Sequence, residues 1–230
     1  MMSASPARTR AGAIALAAAG ALFLAYPAVR PYHDESTAAG ATTSMGSNAW
    51  VAAHYFAMVG FVLLPLGLLA ITGVVGRTRA AGLALAATVA VWVGAGLSLP
   101  YYGSEDFGLH AIAGPHGSQS NVVGLVDAVR NQPVALSTFG IGLVALAIGA
   151  ILAAVAMWRS AVMPRWVGIP FAAAMVLFLP QFYGSPSVRI AHGALMLVSL
   201  ILLAGALWRA AAHVDDVNRT AIEDRVPVAA

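Results

Sequence analysis

Residues 48–75 read NAWVAAHYFAMVGFVLLPLGLLAITGVV, a run of 28 residues without one Asp, Glu or Arg. As an α-helix it would be roughly 42 Å long at about 1.5 Å per residue, more than the ~30 Å hydrocarbon core of a bilayer. Such a run belongs in lipid, and the rest of the chain agrees. Of its 230 residues 60% are hydrophobic and 9% charged, where soluble domains carry roughly 25% charge. The sequence therefore specifies an all-α, polytopic membrane protein.

Five further stretches are apolar enough to cross. Around Asn48–Val75 we place spans at Ala11–Ala28, Ala80–Tyr101, Pro133–Trp158, Trp166–Tyr183 and Val188–Trp208. The expected fold is one six-helix bundle arranged as three hairpins, with residues 1–10 a short N-terminus, 11–209 the transmembrane domain and 210–230 a C-terminal tail that begins as a helical extension and becomes disordered. Arg8 and Arg10 ahead of the first apolar run resemble a leader, but no small-x-small site follows near Tyr26-Pro27-Ala28, so it is read as a retained helix.

All twelve basic residues are arginines. Arg8, Arg10, Arg77, Arg79, Arg159, Arg165, Arg209, Arg219 and Arg225 fall on one side of this layout, and Arg30, Arg130 and Arg189 on the other. Positive residues favour the cytoplasm, so both termini are expected inside a plasma membrane and the long loops 31–47 and 102–132 outside. Basic pI here reflects few charges and does not point to nucleic acid. The absence of cysteine excludes disulfides and thiolate chemistry. Arginine in place of lysine, with abundant Ala, Gly and Val, suggests a GC-rich, actinobacteria-like bacterial genome.

Two spans share a beginning. Ala53-His54 precedes Met58 and Gly67, and Ala191-His192 precedes Met196 and Gly205, with intervals of four and thirteen residues from each histidine. An ionisable residue inside a span is a functional candidate by default. Span ends repeat as well: Leu99-Pro100-Tyr101-Tyr102-Gly103-Ser104 against Leu179-Pro180-Gln181-Phe182-Tyr183-Gly184-Ser185. On the expected topology His54, His192, Tyr101, Tyr102, Glu105, Asp106, Gln181, Tyr183 and Trp50 gather at the outer leaflet.

An outward-facing polar pocket for a lipid-soluble, lipid or isoprenoid-like molecule follows from this placement. Glu105 or Asp106 could act as acid and His54 or His192 as base, with Tyr101, Tyr102, Gln181, Tyr183 and Trp50 binding the substrate. The same histidines allow a b-type haem between facing helices, its propionates met by Arg30 or Arg189. A metal held by His54, His192, His110 and Glu105 has suitable donors but no fixed spacing. Pro65, Pro100, Pro170 and Pro180 interrupt spans, as in transporters. A purely structural role, with each histidine bonded to a neighbouring helix, also fits. No motif decides whether the chain is an enzyme or names a cofactor. The expected partners are membrane lipids and a hydrophobic small molecule. Asn121–Arg130 alternates as a short amphipathic helix that could cover the pocket, and His116 falls in an exposed loop.

Overall fold

The computed structural model describes residues 5–115, 117 and 121–223, with side chains as far as His213. Nine α-helices and no strand occur among the described residues. The long ones are α1 (Pro6–Val29), α3 (Asn48–Val75), α4 (Ala81–Gly103), α7 (Pro133–Ser160) and α9 (Pro186–Glu223). Short helices α2 (Ala38–Met45), α5 (Leu109–Ala113) and α6 (Val122–Arg130) lie in the two long connections, and α8 (Ile169–Val176) in a third. Five helices are long and apolar enough to cross a membrane: α1, α3, α4 with its continuation to Ala113, α7 and α9 as far as His213.

The helix ends follow local chemistry. Ser47 accepts the Trp50 amide at 3.2 Å and so caps α3 at the expected residue. Gln132 accepts the Ala135 amide ahead of Pro133 at the start of α7, where a missing N–H costs nothing. Thr37 caps α2 in the same manner. That helix lies inside a segment expected to be loop, because its Ala-Ala-Gly-Ala-Thr-Thr run has no strong apolar period.

Small residues set the packing. α1 lies between α3 and α9, α3 packs on α4, and α4 packs on α7. At the α4–α7 crossing a methyl group on Gly94 would sit 2.7 Å from the Gly142 carbonyl oxygen, and one on Gly149 would sit 2.9 Å from the Val91 amide. Gly60 abuts the Phe23 ring, and Gly67 abuts Leu16. These contacts place backbones close enough for dispersion to hold helices together without a hydrophobic drive. A methyl group on Gly96 or Gly140 would meet nothing within 4 Å. Outward-facing Ile14, Leu66, Leu85, Trp92, Ile141 and Ile148 are exposed, as on a surface that meets lipid.

The segment expected as the fifth span differs from the others. It is a 3₁₀ turn at Arg165–Gly168, the two-turn α8, an unwound stretch at 177–179 and a second 3₁₀ turn at Pro180–Tyr183. Pro170 and Pro180 each remove a backbone donor, and the interval between them is too short for a regular span. The segment still follows α7 for much of its length. Gly168 lies against Ala154, and the Phe182 ring is 5.8 Å from that of Phe139, contacts separated by roughly 22 Å along the α7 axis. A second irregularity follows Pro100: α4 runs on through it and widens into a π turn at Ser104–Gly108 before α5. α9 extends well past the expected end at Trp208, to Glu223. His116 and the tail residues 224–230 lie outside the described residues.

The close glycine contacts can be tested directly. Gly142→Val should destabilise the fold by about 1–3 kcal/mol through overpacking, seen as a lower thermal midpoint in detergent. Gly96→Ala, facing open space, should leave that midpoint unchanged or raise it.

Candidate functional site

Trp50 is fully buried one turn into α3. Its indole N–H donates to the Glu105 carbonyl at 2.7 Å, tying α3 to the π turn. The Arg30 guanidinium lies over the indole ring at 4.6 Å, and the Arg130 guanidinium at 5.8 Å. The His54 ring lies 4.3 Å away, and its Nδ1 donates to the Trp50 carbonyl at 2.9 Å. Since a carbonyl only accepts, this bond assigns the proton to Nδ1 and leaves Nε2 as the acceptor in the neutral ring.

The charges around Trp50 form a chain of alternating sign. Arg30 Nη2 donates to Glu35 Oε1 at 2.6 Å, and Arg130 Nη1 donates to Glu35 Oε2 at 2.7 Å. Arg130 also grips Glu105 with two bonds, Nε to Oε1 at 2.7 Å and Nη2 to Oε2 at 2.8 Å. Burial pushes the Glu35 carboxyl up, but the Arg30 and Arg130 guanidiniums outweigh it and hold its pKa below the ordinary range. Burial likewise opposes the Arg130 charge, and the bonds to Glu105 and Glu35 more than compensate, raising its pKa. Nearby Tyr32 is pushed up by burial despite Arg30, and its hydroxyl donates to the Pro27 carbonyl. Hydrogen bonds from Ser36 lower exposed Asp34.

This chain is the polar side of a cavity of about 290 Å³. Tyr26, His54, Tyr101 and Tyr102 complete that side, and Leu136, Phe139, Gly140, Leu179, Phe182 and Tyr183 form an apolar and aromatic wall, with Arg189 also lining the cavity. Tyr101 stacks on Phe139 at 4.3 Å with the rings 10° apart, and its hydroxyl reaches the Arg130 carbonyl at 3.3 Å. Leu136, Leu179 and Tyr183 are exposed on the molecule's flank. The cavity is therefore polar at the helix ends and apolar towards the gap between α7 and the unwound stretch.

Five of the nine residues expected at the site, His54, Tyr101, Tyr102, Glu105 and Tyr183, line this cavity. Trp50 lies directly behind it, against His54 and the two guanidiniums. Asp106 does not line it. The π turn separates neighbours Glu105 and Asp106, and Asp106 is fully buried with no hydrogen-bond partner on either oxygen among the described residues. His192 and Gln181 line a separate small void with Phe178 and Met196. His192 Nε2 donates to the Ala174 carbonyl at 2.8 Å, and its ring meets Phe178 edge-on at 5.2 Å. The two histidines thus face different spaces, and each ring commits one nitrogen to a backbone carbonyl. His110 does the same with the Met45 carbonyl, fixing α5 to α2. Among the described residues no three His, Cys, Asp or Glu side chains converge as a metal site would require.

Glu35 and Arg130 were not expected at the site. They are separated by 95 residues, and no spacing rule joins them. One signal was present, however: the arginines on the side opposite to the majority are Arg30, Arg130 and Arg189, and all three line the cavity. Comparison with protein-family descriptions, curated proteins and solved structures finds no match to the chain.

The ion chain gives a signed pH dependence. A carboxyl whose folded pKa is depressed stabilises the fold fully above its unfolded value, about 4.3 for glutamate, and loses that contribution as pH falls through the depressed value. The thermal midpoint of the wild type should therefore fall more steeply below about pH 4.3 than that of Glu35→Gln. At pH 7 the variant should start about 1–3 kcal/mol less stable, the cost of losing charged hydrogen bonds. Equal acid limbs in the two proteins would remove Glu35 from this role.

Proposed function

We propose that this chain is a multi-pass protein of the plasma membrane that holds a lipid-soluble amphiphile in the cavity beside Trp50. Six passes with both ends cytoplasmic fit this reading, the irregular segment 165–183 serving as the fifth. It supplies the return path from the end of α7 to the start of α9. Broken helices are tolerated at membrane depth where they line a cavity. The excess of arginine at the opposite ends of the bundle supports the orientation, which turns the cavity outward.

The observation that carries the reading is the cavity's two-sided lining. A polar side built from Arg30, Glu35, His54, Glu105 and Arg130 faces an apolar wall of Leu136, Phe139, Leu179 and Phe182. Small-molecule sites combine a mostly apolar wall with a few placed polar groups, and this volume is at the lower edge of their ~300–1,000 Å³ range. It suits one slender molecule with its head towards the polar side and its body towards the flank. Binding has better support than acid–base turnover, because both Glu105 oxygens are engaged by Arg130. The His54 Nε2 is the basic atom left for any proton transfer.

Gly140 offers a clean test, since it lines the cavity and a side chain there meets nothing within 4 Å. Gly140→Phe should fill the space without straining the helices. Wild type purified in detergent should bind tritiated dodecanol or laurate saturably. The variant should lose at least tenfold in affinity for both while its thermal midpoint stays within a few degrees. Unchanged binding in Gly140→Phe, or no saturable binding in wild type, would remove the reading.

A further inference from the structure

We infer that the amphiphile carries an anionic oxygen head, a carboxylate or a phosphate monoester, and that Arg189 selects it. This inference rests on the reading of the cavity as an amphiphile site. It starts from the charges that line the space, which are three guanidiniums, Arg30, Arg130 and Arg189, against two carboxylates, Glu35 and Glu105. The four-membered chain is closed. Both Glu35 oxygens and both Glu105 oxygens already accept from arginine. Arg189 stands outside this chain, and among the described residues no carboxylate pairs with it. It donates one N–H to the Phe182 carbonyl and lies over the Phe182 ring at 5.9 Å. Among the described residues no acceptor is shown for the remaining N–H groups of its guanidinium.

Arg30 carries a further N–H without a partner. Its side chain is 9% exposed, and its Nε–H is buried with no hydrogen-bond partner among the described residues. The Tyr102 hydroxyl is also buried, with Tyr26 as its hydrogen-bonding neighbour. Both residues line the cavity. The carboxylate acceptors of the site are thus occupied, while His54 Nε2 remains an acceptor and Arg189 keeps N–H groups to offer, in a space with one excess positive charge. A cationic head would face arginines and saturated carboxylates. A neutral alcohol could bond to His54 Nε2 or to an arginine N–H but would leave the charge uncompensated. An oxyanion can accept several N–H bonds at once and neutralise the excess, the arrangement for which a planar guanidinium is suited. The aromatic wall of Phe139 and Phe182 then follows the chain of the ligand towards exposed Leu136 and Leu179.

Competition for bound tritiated laurate tests this with heads of different charge on one chain. Laurate and dodecyl phosphate should displace the label at least tenfold better than dodecanol, and dodecylamine should be weakest. Inorganic phosphate, which lacks the chain, should not compete at equal concentration. Arg189→Gln should lose about tenfold in laurate affinity while dodecanol affinity stays within twofold. Arg189→Lys, which restores the charge without the fork, should recover part of the laurate preference, an outcome that a purely structural role for Arg189 would not produce. The inference is overturned if dodecylamine or dodecanol matches laurate, if inorganic phosphate displaces the label, or if Arg189→Gln keeps the wild-type preference. The amphiphile reading survives those results when Gly140→Phe still abolishes binding of every dodecyl compound. It fails along with the inference when no dodecyl compound binds.

Discussion

One end of this bundle depends on the contact between the Trp50 indole and the guanidiniums of Arg30 and Arg130. A cation over an indole is attracted to the negative face of the ring, more strongly as water is excluded. Here the attraction brings together the end of α1, the start of α3 and the end of α6. It also solves a charge problem. Two arginines beside a buried aromatic ring, close to lipid, would be expensive alone, and burying an ion pair often costs more than its Coulomb attraction returns. Glu35 and Glu105 turn two isolated cations into an alternating chain in which every carboxylate oxygen accepts a bond. The connection 31–47 and helix α6 must fold back over the helix ends to complete it, so the cap of the molecule follows from the charges beneath.

The cavity exists because that cap and the helices do not meet everywhere. α7 would be covered along its length by a regular neighbour, as α4 covers its other side through Gly94, Gly142 and Gly149. The segment after α8 loosens into turns instead, keeping isolated α-type bonds such as that from the Gln181 N–H to the Leu177 carbonyl, while Pro180 has no N–H to extend them. Its backbone lies at the level of Phe139 and Tyr101, where the polar chain ends. The unwound stretch leaves a gap at its own flank, and the ion chain supplies the gap with a polar side. Two irregularities, the 3₁₀ turn at Pro180–Tyr183 and the π turn at Ser104–Gly108, therefore shape the site more than the regular helices do. The π turn in particular aims Glu105 at Arg130 and buries Asp106 away from it.

Much of the frame was legible in the sequence, for a simple reason. A span must satisfy every backbone group internally, so hydropathy alone placed Asn48–Val75 and came within a few residues of the starts and ends of α1 and α7. The amphipathic alternation at 121–130 gave α6. What hydropathy does not encode is irregular backbone. Leu99-Pro100 and Leu179-Pro180 read alike, yet α4 continues through its proline while the other segment collapses into 3₁₀ turns. The difference lies in the flanks, since α4 has an unbroken apolar run ahead of its proline and α8 begins beside another. The paired Ala-His starts were misleading in a related manner. His54 and His192 share a position on their helices but meet different neighbours, Trp50 and Tyr26 in one case, Ala174 and Phe178 in the other. Local spacing fixes the face of a helix and not the partner it meets.

The arginines carry the remaining lesson about where long-range information was available. Orientation by positive charge is a bias summed over many residues, so a few arginines at the end opposite to the majority do not disturb it. Each one nonetheless stands against the bias and against the cost of placing a guanidinium beside lipid, and it persists only where something local offsets both. For Arg30 and Arg130 the offset is visible as Glu35, Glu105 and the face of Trp50. Glu35 and Glu105, in turn, have no regular structural reason to be at the helix ends other than those arginines. For Arg189 the partner in hand is a backbone carbonyl and a phenyl ring, which orient the guanidinium without neutralising it. A residue held in place but left charged differs physically from one that is satisfied, and that asymmetry between Arg189 and its two counterparts is what gives the cavity a direction as well as a shape.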